Sequence, residues 1–132
     1  MKKTYYCFNI KSYHQAVEII EICKREKIIP IMYFRYYLIN GFGIDWIIQL
    51  KNLLLVKFKK KDFKILINFK KNYALFISLV ENKIDYINVK GNDETLKRLR
   101  QIAKLNNILI NPDFSIIDLR NTQNIENKLK KL

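Results

Sequence analysis

Glycine, proline, histidine and cysteine are all scarce in this chain. Three glycines, two prolines, one histidine and two cysteines occur among 132 residues. The glycines form no phosphate-binding loop, because Gly41 and Gly43 lack the GxxxxGK[ST] spacing and Asp45 beside them repels a phosphate. His14, the single histidine, falls in the first turn of a predicted helix. No Ser/His/Asp or Cys/His arrangement surrounds it, so no catalytic residue is assigned. Cys7 and Cys23 match no metal or redox spacing. Each is expected as a small buried hydrophobe in a reducing compartment. No metal site and no cofactor is expected.

Long apolar runs are absent as well. Residues 28–58 are greasy, but Arg35, Asp45 and Lys51 interrupt them, and no stretch approaches the ~20 apolar residues of a spanning helix. Lys2 and Lys3 precede a short apolar run that Asn9 and Lys11 break too early for a secretory signal. A soluble cytoplasmic protein is the expectation.

Cation excess is what the chain has in quantity. Twenty-five Lys and Arg against 12 Asp and Glu leave a formal charge of +13. A balance of this kind raises nucleic acid or an anionic surface as a partner. It is equally the signature of an AT-rich genome, which fills a chain with Lys, Ile and Asn. Hydrophobic residues at 49% and aromatics at 13% supply a core. One domain is expected over 1–119, followed by a polar stretch over 120–132 that forms a flexible tail or a loose helix.

Short apolar runs alternate with helical periodicity. Strands are predicted at 4–10, 28–34, 63–69, 85–91 and 108–111. Helices are predicted from 13 behind a Ser12–Gln15 capping box, over 44–58 with Ile47, Leu50, Leu54 and Phe58 on one face, over 73–82 capped by Asn72, and over 93–106. The last is capped by Asn92 or Asp93 and has an inward stripe of Leu96, Leu99, Ile102 and Ala103. Such alternation predicts an α/β fold with about five parallel strands and four helices, as a half-barrel or an open sheet. Strand order is open between a barrel-like and a flavodoxin-like arrangement.

The block FKILINFKKNYALFISLVENKIDYINVKGNDETLKRLRQIAKLNNILINP (63–112) resembles the βαβαβ portion of aldolase-type (β/α) barrels. It shares a strand, a helix closed by a short turn, a strand ending in Lys90-Gly91 and a basic helix. Gly41, Gly43 and Trp46 are similar to a Gly-x-Gly-x-x-Trp-like segment of short uncharacterised alphaproteobacterial proteins. The resemblance implies an open or half-barrel form, since the chain is about half of a ~250-residue barrel. It also implies a loss. The usual third-strand ending there is Asp-Cys-Gly, where this chain has Asn68, Phe69 and Lys70.

Ligands of parallel sheets sit at the carboxyl ends of the strands. The residues predicted there are Asn9, Lys11, Tyr33, Arg35, Asn68, Lys70, Lys90, Asn92, Asn111 and Asp113. This rim is basic and rich in amides, and fits an anion such as a phosphorylated metabolite. Taken singly, each asparagine also suits a helix cap or a turn. A Schiff-base role for Lys70 or Lys90 rests on fold analogy alone. The run YFRYYLINGFGIDW (33–46) holds Tyr36, Tyr37 and Phe42, aromatics that suit an interface. Three functions follow in order. First is a non-catalytic domain acting through protein contacts, a homodimer above all. Second is a small enzyme or sensor for an anionic metabolite. Third is a nucleic-acid or anionic-surface binder.

Overall fold

The computed structural model describes residues 4–36, 38, 41, 43–119 and 124–130. Six strands form one all-parallel sheet: β1 (Thr4–Asn9), β2 (Ile28–Phe34), β3 (Lys64–Lys70), β4 (Tyr86–Val89), β5 (Leu109–Ile110) and β6 (Ile116–Asp118). Their order across the sheet is β5-β4-β3-β2-β1-β6. Among the described residues five α-helices accompany them: α1 (Tyr13–Arg25), α2 (Ile44–Lys57), α3 (Phe76–Glu81), α4 (Asp93–Leu105) and α5 (Ile125–Lys130). None of these helices is long and apolar enough to cross a membrane. β1 to β5 lie side by side in chain order, the barrel-like of the two orders left open above. Right-handed crossovers between consecutive neighbours place every connecting helix on the same face.

The packing agrees with that geometry. One face of the sheet presents Phe8, Met32, Phe34, Ile65, Ile67, Phe69, Ile87 and Ile110 to the helices. Ala16, Ile19, Ile20 and Cys23 of α1, Ile47, Leu50 and Leu54 of α2, Leu79 of α3 and Leu99 and Ala103 of α4 close this core. The opposite face carries a smaller cluster of Cys7, Ile31, Tyr33 and Leu66, with Tyr86 and Phe114 against it and, among the described residues, none from a helix. Apolar residues therefore occupy both faces of the strands, which is why the runs lack strict alternation.

The sheet is open, and it curls. Only residues 111–115 join β5 to β6, the two opposite edges. Laid flat, six strands would separate those edges by about 24 Å. The extended chain from Ile110 to Ile116 reaches only about 20 Å. The edges must bend toward each other, and the link crosses the face that carries the smaller cluster. Phe114 sits on Tyr86 there, ring centroids 5.1 Å apart and nearly perpendicular. Burial pushes the Tyr86 phenol up, and Asp85 and then Tyr5 of β1 add to the effect.

Local chemistry sets the helix ends. Ser12 Oγ accepts the Gln15 N–H at 3.2 Å, as the capping box predicts. The Gln15 side chain departs from that motif. Its Oε1 accepts the Lys11 N–H at 3.0 Å, and its Nε2 donates to the Leu119 carbonyl. Gln15 is buried, so this amide ties the start of α1 to the end of β6. Asn92 Oδ1 accepts the Thr95 N–H at 2.8 Å at the start of α4. Replacing Asn92 by alanine is expected to cost about 1 kcal/mol, read as a lower urea midpoint with an unchanged slope.

Four features differ from the sequence expectations. Asn72 makes no side-chain cap; Tyr73–Leu75 is a 3-10 turn leading into the short α3. Ile102 is 38% exposed rather than part of the α4 stripe, because Leu99 and Ala103 fill the contact with the sheet. β6 is a sixth strand where none was predicted. Within 120–132, α5 buries Ile125 and Leu129 in the main core, and Arg25 pairs with Glu126 at 3.6 Å, so packed structure continues beyond residue 119.

Candidate functional site

β3 and β4 end side by side at the carboxyl rim, and both endings are irregular. Their register slips between Asn68 and Lys70, which leaves Phe69 as a bulge. Phe69 is buried against Phe76. A bulge turns the following residue away from the ladder. Lys70 then adopts a left-handed φ of 52°, uncommon for a residue with a side chain. Asn68 holds this corner with both ends of its amide: Oδ1 accepts the Lys70 N–H at 3.0 Å and Nδ2 donates to Tyr33 Oη at 3.1 Å. Lys90 follows β4 and donates its N–H to the Lys70 carbonyl at 2.8 Å. The two lysines are thereby fixed side by side, although far apart in sequence.

Lys70, Lys71, Asn72 and Lys90 surround an open depression of 510 Å³, with Tyr36 as its aromatic wall. Lys70 Nζ lies 5.0 Å from the Tyr36 ring centroid, a cation–π distance. Among the described residues the lining contains three lysines and no carboxylate. Beside it, the Tyr73 hydroxyl donates to the Lys90 carbonyl at 2.6 Å. That contact needs the bare backbone of Gly91, where a Cβ would stand 2.7 Å from the hydroxyl. Glycine here serves close approach rather than an unusual φ.

The other predicted rim residues fall elsewhere. Asn9 is fully buried, and its carbonyl accepts the Leu119 N–H at 3.2 Å. Asn111, at a left-handed φ of 52°, uses its Oδ1 to accept the Val89 N–H at 2.8 Å. Asn92 caps α4, as noted. Lys11 and Asp113 are exposed and Arg35 is half-buried, outside the depression's lining. The asparagines thus build the rim, and the lysines line it. Lys71 was absent from the predicted set, and the run Lys70-Lys71 directly after an apolar strand was its sequence signal. Of the predicted interface aromatics, Tyr36 is half-buried in the depression wall, while Tyr37 and Phe42 lie outside the described residues. Trp46 packs edge-on against Phe34 at 5.9 Å, anchoring the start of α2 to β2.

The remaining reactive groups do not converge. Among the described residues no three His, Cys, Asp or Glu side chains gather as a ligand set. His14 is exposed beside Tyr13. Cys7 and Cys23 are buried, and desolvation pushes each thiol up to about 12 from an ordinary 9.0. For Cys23 the Glu26 carboxylate adds to the effect. A thiol whose folded value is raised loses its proton first in the unfolded chain, so stability falls as pH rises from about 9 toward about 12. Below pH 9 both thiols should react with a disulfide reagent only as fast as the chain opens. Rapid labelling of the native protein would contradict that burial.

No protein-family model matches the chain, and no curated protein or solved structure matches it either.

Proposed function

We propose that this chain is a non-catalytic binding domain that takes a phosphate-bearing small molecule at the Lys70–Lys90 rim. One observation carries the reading: three lysines and an aromatic ring line a single open depression at the carboxyl end of a parallel sheet, without a carboxylate among them. An ammonium is a compact charge with three donors and binds phosphate oxygens readily. The Tyr36 ring, now under Lys70 Nζ, offers an apolar wall to the rest of the ligand. The half-barrel form implied for this chain puts such sites at the same end of the sheet.

The non-catalytic part of the reading rests on the lining itself. General acid–base catalysis most often uses His, Glu or Asp, and the described lining, Tyr36, Lys70, Lys71, Asn72 and Lys90, has none of them.

A thermal-shift panel tests the proposal. Inorganic phosphate, pyrophosphate, ribose 5-phosphate and AMP are titrated at low salt, with ribose and adenosine as uncharged controls. The phosphorylated compounds are expected to raise the melting temperature by mass action, the controls to leave it unchanged. A flat response across the panel would overturn the reading.

A further inference from the structure

The edge strand β5 presents a different kind of surface. Leu109 donates its N–H to the Asp85 carbonyl at 3.3 Å, and Asn111 donates to the Ile87 carbonyl at 2.8 Å. Both bonds point toward β4. Backbone direction alternates along a strand, so the N–H and C=O of Ile110 point away from the sheet. β5 is the last strand on that side.

Natural edges are commonly blunted by charge, proline or a covering element. This one is short, two residues, but neither Leu109 nor Ile110 is charged or a proline. Leu109 is 55% exposed. A groove of 490 Å³ runs between the edge and α4, with Ala103, Ile108 and Ile110 as its floor and Arg100 and Lys104 on its helix side. Among the described residues the lining holds two cationic side chains and no carboxylate. Arg100 and Lys104 are both exposed.

We propose that β5 is a docking edge for an extended acidic peptide segment of a partner protein, one that alternates apolar and acidic residues. The added strand hydrogen-bonds Ile110 through its backbone. Its carboxylates, on the helix face, meet Arg100 and Lys104, and its apolar side chains, on the opposite face, lie beside exposed Leu109. Strand addition of this kind takes affinity from the main chain and specificity from alternate side-chain pockets. Charge selects the occupant. A second copy brings the same +13 charge against a basic groove, whereas an acidic strand is attracted to it.

Fluorescence anisotropy with the full chain tests this. The probe is a short labelled peptide of alternating Glu and Val, at low salt. Two comparison peptides carry Lys in place of Glu, or N-methyl groups on alternate residues that remove the donors along one edge. The Glu–Val peptide is expected to bind saturably. The Lys peptide should not bind, and N-methylation should weaken binding at least ~10-fold. The double variant Arg100→Glu/Lys104→Glu changes only exposed side chains, and should also weaken binding at least ~10-fold while keeping the native circular dichroism spectrum. Absence of binding by the Glu–Val peptide overturns the proposal. Equal binding of the N-methylated peptide, or of the double variant, overturns it too. A concentration-dependent dimer of the chain alone that Leu109→Asp abolishes assigns the edge to a second copy instead.

Discussion

Phe34→Ala should cost about 3–5 kcal/mol, the largest stability loss expected from a single core truncation here. Phe34 ends β2, an interior strand, and is fully buried. Its ring meets Trp46 edge-on at 5.9 Å, with planes at 86°. Truncation removes the transfer free energy of the ring and leaves a cavity between β2 and the first turn of α2. It also deletes an aromatic pair worth about 1 kcal/mol beyond burial. A domain of this size is held by about 5–15 kcal/mol, so much of the margin goes. Urea unfolding followed by Trp46 fluorescence gives the number. The variant's native emission should also shift to the red as water reaches the indole. A loss below about 1 kcal/mol would mean that Phe34 does not anchor α2.

Reversing the rim charge should have the largest effect on binding. Lys70 and Lys90 are exposed at their charged ends and support no core packing, so Lys70→Glu/Lys90→Glu is expected to leave the urea midpoint within about 0.5 kcal/mol per substitution. Each hydrogen bond to a charged group contributes about 1.5–3 kcal/mol. Losing two such bonds and adding two like charges should weaken a phosphorylated ligand at least ~100-fold. The salt dependence should fall with it, since the attraction that salt screens is gone. Calorimetry with ribose 5-phosphate reads both effects. Unchanged affinity in the double variant would place the anion elsewhere.

Periodicity was enough to lay out much of this architecture. The apolar stripe Ile47, Leu50, Leu54 and Phe58 is buried as its spacing requires. Ser12 and Asn92 cap the helices that they precede. These are local properties, written in residues three or four apart. β6 is different. Its three residues gain strand form only by pairing with Cys7, Phe8 and Asn9 at the other end of the chain, and a short run of Ile116 and Ile117 carries no period of its own. The packing of α5 was hidden for a similar reason, in a stretch that reads as a flexible tail or a loose helix. Ile125 and Leu129 are two apolar residues in a polar stretch, and their i, i+4 spacing matters only once the sheet is there to receive them.

The site was legible by residue type and place, but not by role. Asn68 and Lys70 both fall at the end of β3, and nothing in the sequence says that one amide will be consumed at both ends while the lysine stays at the surface. That division follows from the bulge at Phe69, which depends on the partner strand β4. Lys70 and Lys90 become neighbours through the same pairing. Gly91 is a similar case. Its value lies in the Tyr73 hydroxyl that comes to rest above it, a contact between strand end and helix approach that no local pattern encodes.

The most direct test of the rim reading is a phosphate titration followed by amide NMR on the uniformly labelled chain. Ribose 5-phosphate added at low salt should move the amides of residues 70–72 and 90–92 together, on one saturable curve, and leave the outer face of α4 still. Shifts spread over Lys97, Arg98 and Lys104 of α4 instead, or growing linearly without saturation, would show a diffuse response to charge and contradict a built anion site at the end of β3 and β4.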